Sequence, residues 1–422
     1  MFSQGGLSLE QAPPLSVVLR FFISASVFGL ILGLFLLFSS LDFIPSTQYS
    51  FDLTIIHILA LGVMASFMLG AMFQMLPVIA GVVIKMPTKK AMVAHILLTI
   101  GIFFQIGAFY SSTPLLYLLT AIVLGSGLLY VSILMLKNII KIKDHSSSSK
   151  GMLFALSSFV IVITLGVVML LSLGGYINSS SFSQIREAHY SFALFGWISL
   201  LIVSISFQVI EMFYVTPKYP TIMSKYLVIT IFSLLGIKTI MLFSLLNSQI
   251  IDILISLLFI IYATITIHRL YKRRRPTSDA TVWFWRLGMS LLIISMLIFI
   301  LGDNIDIDYL GYITFIGFAL SIVFAMVYKI VPFLVWFHLS NQGYMEAPMM
   351  HDVIHPQKAK IHFWLHLSII SLWIINILFS IPIIEIIANT LLTLSFGWLL
   401  YHLINAIKKY RYIQKNYDSI EW

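Results

Sequence analysis

The sequence predicts an all-α, polytopic membrane protein of twelve transmembrane helices. Three observations carry that fold class. First, 60% of the 422 residues are hydrophobic and only 10% are charged, whereas a soluble domain of this size needs far more charge to cover its surface. Second, apolar runs longer than about 18 residues, the length that crosses a bilayer core, recur along the whole chain. Third, the segments between them alternate between basic and neutral or acidic, as they do in a chain that crosses a membrane repeatedly. The runs are continuous rather than alternating, which argues against a β-barrel.

The spans fall near residues 16–39, 52–79, 91–110, 114–137, 151–173, 187–214, 223–246, 249–269, 281–301, 309–339, 360–380 and 383–407. They form a single integral membrane domain over residues 1–422. Residues 1–15 lack a charged n-region and a small-residue cleavage site, so no removable signal peptide is expected. One set of loops carries Lys85, Lys89 and Lys90; Lys137, Lys141, Lys143 and Lys150; Lys218 and Lys225; Arg269 and Lys272 to Arg275; Lys358 and Lys360; and Lys408, Lys409, Arg411 and Lys415. The other set carries Asp42 and Asp52, the segments 111–114 and 174–185, and Asp303, Asp306 and Asp308. The positive-inside rule places the first set in the cytoplasm of a bacterial inner membrane, with both termini on that side. That arrangement needs an even number of spans, and twelve agrees.

Basic loops account for the formal charge of +9 without a nucleic-acid partner. The basic run 271–276 is read in the same way, as topology signalling rather than lipid contact. The chain has no cysteine, which removes disulfides, thiolate metal sites and iron–sulfur clusters. The serine-rich segment 144–150 and the segment 340–359 read as flexible linkers.

A pattern recurs at every fourth span. Gly62 is followed by Gly70, Gln74 and Pro77; Gly196 by Ser204, Gln208 and Glu211; Gly317 by Ala325, Lys329 and Pro332, all at the same offsets. A glycine and a small residue eight positions later lie within about 80° of each other around a helix, and small residues let helices approach closely in lipid. Three four-helix repeats are therefore expected, covering roughly 16–137, 151–269 and 281–407.

Of the eleven histidines, His57 and His189 lie in the outer parts of spans two and six. The others, His362, His366 and His402 among them, read as lying in a loop or at or near the cytoplasmic side. Imidazole in a membrane ligates haem iron or copper, or hydrogen-bonds to a neighbouring helix. At 100° per residue, His57 shares a helix face with Met64, Met68, Met72 and Met75. That stripe suits Cu(I) or ordinary apolar packing. Lys238 lies inside span seven. Glu211 and Lys329 at span ends read as solvated charges, with an ion pair or a proton entry point as the alternative. Arg186 and Glu187 set a helix boundary or hold an anion.

Twelve spans, the four-span repeat, HILALGVMASFMLGAMFQMLP (57–77) and EAHYSFALFGW (187–197) together resemble the subunit I fold of the haem–copper oxidase superfamily. LRFF (19–22) and YKIVPFLVWFHL (328–339) are similar to its bacterial members of undefined function, and the chain also resembles the NnrS family. The resemblance implies that His57 is a haem ligand and that His189 stands where a copper ligand stands. It also implies histidines in spans seven and ten, yet 223–246 and 309–337 contain none. A functional terminal oxidase or nitric oxide reductase is therefore not expected. The expectation is an oxidase-subunit-I-like protein lacking the full ligand set, holding haem b, copper or no cofactor. Its role would be accessory, beside a respiratory complex or cytochrome. A transporter of a small solute, protons or copper is the alternative.

Overall fold

The computed structural model describes residues 12–41, 49–274, 277, 279–301 and 305–419. Among the described residues all regular structure is helical. Twelve helices are long and apolar enough to cross a bilayer: α1 (Leu15–Ser40), α2 (Ser50–Ala80), α3 (Pro87–Ser111), α4 (Pro114–Ile139), α5 (Ser147–Leu173), α6 (Phe182–Tyr214), α7 (Thr221–Phe243), α8 (Gln249–Tyr271), α9 (Ala280–Leu301), α10 (Tyr309–Asn341), α11 (Pro356–Phe379) and α12 (Pro382–Asn416). Each coincides with one expected span. Asp42, Arg275 and Asp303, used above to orient the loops, lie outside the described residues.

Local chemistry sets several helix starts. α3, α4, α11 and α12 begin with proline, which has the right φ for a first turn and no N–H to leave unpaired. The serine-rich segment is not the linker expected from its composition. Ser146 caps α5, its hydroxyl accepting from Ser149 N–H at 3.1 Å, and the helix begins at the next residue. The segment after α10 is likewise partly ordered, with a short helix at Met350–Val353.

The helices sort into two compact units. The first contains α3 to α8, with α2 from Ala71 and α9 from Leu292. The second contains α1 and α10 to α12, with α2 as far as Gly70 and α9 as far as Leu291.

Close packing within each unit depends on the small residues. In the second unit, a Cβ on Gly62 would lie 2.7 Å from the Phe28 ring of α1, and one on Gly317 would lie 2.9 Å from Leu291 of α9. In the first unit, a Cβ on Gly196 would lie 2.7 Å from Ser158 of α5. Each of these three glycines thus abuts the helix that precedes its own.

α2 and α6 share a second feature. Ile58–Ala65 and Phe192–Ser199 are π-helical, with i→i+5 hydrogen bonds. Gly62 and Gly196 are the fifth residue of their respective stretches. α10 is α-helical around Gly317.

Candidate functional site

His57 immediately precedes the π stretch of α2 and is half-buried. Its Nδ1 lies 2.7 Å from the Leu53 carbonyl oxygen. A carbonyl only accepts, so Nδ1 carries the hydrogen, and in the neutral ring Nε2 carries the lone pair. His189 lies three residues before the π stretch of α6. Its Nδ1 donates to the Val162 carbonyl of α5 at 3.0 Å, which selects the same tautomer. Its ring rests on Gly166, where a Cβ would come within 3.1 Å of Cε1. A backbone carbonyl on one ring nitrogen fixes the orientation of the other, as it does for metal-ligating histidines. The two residues belong to different units.

Met64, Met68, Met72 and Met75 are all buried. The expected shared face with His57 assumed 3.6 residues per turn. The π stretch lies between His57 and the end of that first interval and takes more residues per turn, so the arithmetic fails for His57. Met68, Met72 and Met75 lie on regular α-helix and keep their common face.

Lys238 is buried, and its ammonium lies 2.6 Å from Asp252 Oδ1 and 3.1 Å from Glu187 Oε1. Both carboxylate side chains are 33% exposed, whereas the lysine side chain is 5% exposed. Asp252 and Glu187 lie near the starts of α8 and α6, and Lys238 near the end of α7. The lysine found inside an apolar run therefore ties together three helix ends. Glu187 is engaged here rather than serving only as a helix boundary.

Glu211 and Lys329 are each engaged within their own unit. Lys329 Nζ donates to Asp279 Oδ2 at 2.6 Å. Asp279 Oδ1 accepts from the Thr281 N–H at 2.9 Å and the Thr281 hydroxyl at 2.7 Å, capping the start of α9. Burial works to raise the Asp279 pKa, but the Lys329 charge and these donors hold it below the ordinary carboxylate value.

Glu211 Oε1 accepts from Tyr219 N–H at 2.9 Å. Beside it lie four buried hydroxyls of the first unit. Tyr219 Oη is 3.0 Å from Thr266 Oγ1, and Tyr262 Oη donates to Ser206 Oγ at 2.8 Å. Thr266 and Tyr262 are one turn apart on α8. Burial pushes the Tyr219 phenol well above its usual range, and the neighbouring Tyr262 adds to the shift.

The second unit contains a cluster that sequence reading missed. His362 and His366 are fully buried on α11. Tyr328 Oη lies 3.0 Å from His362 Nδ1, and Ser395 Oγ lies 2.7 Å from Nε2. Ser321 donates to the Gly317 carbonyl at 2.6 Å, so His366 Nε2–H must donate to Ser321 Oγ, at 2.9 Å. Phe324 packs on His362 with ring centroids 4.5 Å apart, and Phe284 on His366 at 5.8 Å. His402 of α12 is also buried. The signal was available in the sequence: histidines four residues apart share a helix face. Their nearness to Lys358 and Lys360 placed them at the cytoplasmic side instead, although His366 is the eleventh residue of α11.

Among the described residues, no group of three or more histidines or carboxylates is placed to hold a metal ion. No family model matches the chain, and no curated protein matches it.

Proposed function

We propose that this chain is an oxidase-subunit-I-like inner-membrane protein, built from three four-helix repeats, that binds haem b, with His57 and His189 each a candidate ligand, and lacks a full haem–copper ligand set. One observation carries the reading. Both histidines anchor Nδ1–H on a backbone carbonyl and direct the lone pair to Nε2, His57 one residue and His189 three residues before a π stretch. Either imidazole would suit haem iron as a nitrogen donor. Bound haem would supply one-electron redox chemistry. The repeat is supported by the three glycines, each packed on its preceding helix. Both termini lie in the cytoplasm on this reading, and a respiratory complex or cytochrome is the partner.

A reduced-minus-oxidised visible spectrum of the purified protein tests the proposal, with metal analysis of the same sample. A b-type signal that is lost in His57→Ala or His189→Ala supports it. A haem-free preparation from haem-replete cells overturns it.

A second reading, proton transport, is favoured by the hydroxyls of Ser206, Tyr262, Thr266 and Tyr219 beside Glu211. Hydroxyls both donate and accept, so a row of them passes protons without carrying charge into the membrane. Proton uptake into vesicles that falls in Tyr262→Phe supports this reading, and uptake unchanged by that substitution removes it.

A further inference from the structure

Backbone carbonyls fix the tautomers of His57, His189 and His366. His57 and His189 give Nδ1–H to carbonyls directly. His366 gives Nε2–H to Ser321, whose own hydrogen goes to the Gly317 carbonyl. His362 is held differently. Tyr328 Oη lies 3.0 Å from its Nδ1, and Ser395 Oγ lies 2.7 Å from its Nε2. A hydroxyl both donates and accepts, so neither contact selects a tautomer. With its hydrogen on Nδ1, the ring donates to Tyr328 and accepts from Ser395. With its hydrogen on Nε2, the ring accepts from Tyr328 and donates to Ser395. Both bonds survive in either state, and one hydroxyl hydrogen is left over, at Tyr328 in the first and at Ser395 in the second. The Trp398 indole N–H beside Tyr328 Oη finds a lone pair on that oxygen in both.

We infer that His362 is a proton relay that passes a proton between Tyr328 and Ser395 by exchange of tautomer. The step starts with the ring hydrogen on Nε2. Tyr328 Oη takes up an arriving proton and releases its bonded hydrogen to Nδ1. Nε2 releases its hydrogen to Ser395 Oγ, which gives up its leftover hydrogen as the departing proton. Each oxygen forms one O–H bond and breaks another, the ring is neutral before and after, and no electron moves. Passage in the opposite direction restores the first tautomer. The surroundings suit transfer without net charge. His362 is fully buried, with the Phe324 ring at 4.5 Å and the Phe284 ring at 6.0 Å, where an isolated charge would be costly. His402 lies seven residues after Ser395 and on the same face of α12. Its Nε2 is buried with no hydrogen-bond partner among the described residues, which leaves a ring nitrogen for onward transfer. The relay belongs to the second unit and stands apart from the haem reading and from the hydroxyls beside Glu211.

The test uses the full-length protein in lipid bilayers, with isotope-labelled histidine ring nitrogens read by solid-state NMR. Loss of signals in His362→Gln and His366→Gln assigns the two rings. His362 should show both tautomers in exchange, and the exchange should slow in heavy water because the moving particle is a proton. His366 should show one tautomer, protonated at Nε2. Tyr328→Phe and Ser395→Ala each unbalance the two states of His362 and should each leave a single tautomer. Unchanged His366 signals show that the cluster still folds in those variants. Where they change, the heavy-water measurement on the unaltered protein decides. A fixed tautomer at His362, two tautomers that do not interconvert, or the same exchange rate in heavy water would each overturn the inference. So would both tautomers persisting in folded Tyr328→Phe and Ser395→Ala.

Discussion

Two clusters place ionisable side chains in apolar helices, and they meet the cost in opposite ways. Around Lys238 the charge is kept and paired with two partly exposed carboxylates. Around His362 and His366 the partners are neutral, the hydroxyls of Tyr328, Ser395 and Ser321 and the Gly317 backbone, and aromatic rings close the surroundings. The first cluster lies at helix ends. The second lies deep in the second unit, with Ser321 and Ser395 near the middles of α10 and α12. A charge needs solvent or a counter-charge at hand, whereas a fully hydrogen-bonded imidazole is stable where neither can reach.

The largest test of this contrast strands the lysine. Glu187→Gln/Asp252→Asn should destabilise the protein by about 3–5 kcal/mol, the cost of leaving a buried charge unpaired, read as unfolding in detergent. Lys238→Met, which leaves only partly exposed acids, should cost about 1 kcal/mol. Equal costs for the two would break the contrast.

Next comes the neutral cluster. His362→Phe keeps a flat ring but strips partners from Tyr328 Oη and Ser395 Oγ, at about 2–4 kcal/mol for two orphaned groups. A near-neutral result would mean that the hydroxyls find other partners.

Plain packing gives the baseline for both. Gly196→Ala, whose Cβ would meet Ser158 at 2.7 Å, should cost about 1–3 kcal/mol. Gly236→Ala in α7, where a Cβ meets nothing within 4 Å, should cost nothing and gain up to about 1 kcal/mol of helix propensity.

The smallest effect belongs to the half-buried pair of Asp279 and Lys329. Asp279→Asn should cost about 1 kcal/mol at neutral pH. Its folded pKa is depressed, so its contribution is present above the ordinary carboxylate value of 3.8 and is lost as pH falls through the folded value. Wild type and variant should therefore converge in acid in an unfolding titration.

Length and hydropathy made the twelve helices legible in the sequence, because a bilayer requires uninterrupted apolar runs and little else satisfies it. Lys238 was legible as an anomaly, but Glu187 and Asp252 were not legible as its partners, since both lie in other spans and nothing in the sequence brings them to the lysine. The histidine cluster was lost for a different reason. Proximity to Lys358 and Lys360 marks where a helix begins, not how deep its next turns run. The Met stripe lost its register at His57 and Met64, because a π stretch leaves no compositional trace and silently changes the angle per residue. The serine run of 144–150 was misread because a helix cap and a linker draw on the same residues.

The π stretches also bear on how the gene tolerates change. An i→i+5 turn holds more residues than the α-turn it replaces, so each stretch carries a spare position. Deleting one codon there, Leu59 in α2 or Ala193 in α6, should let the helix revert to α-form while the residues on both sides keep their orientation. The same deletion in α10, which has no slack around Gly317, would rotate everything beyond it by about 100° against its neighbours. Length variation in this protein should therefore gather at two places inside membrane helices, where it is ordinarily excluded.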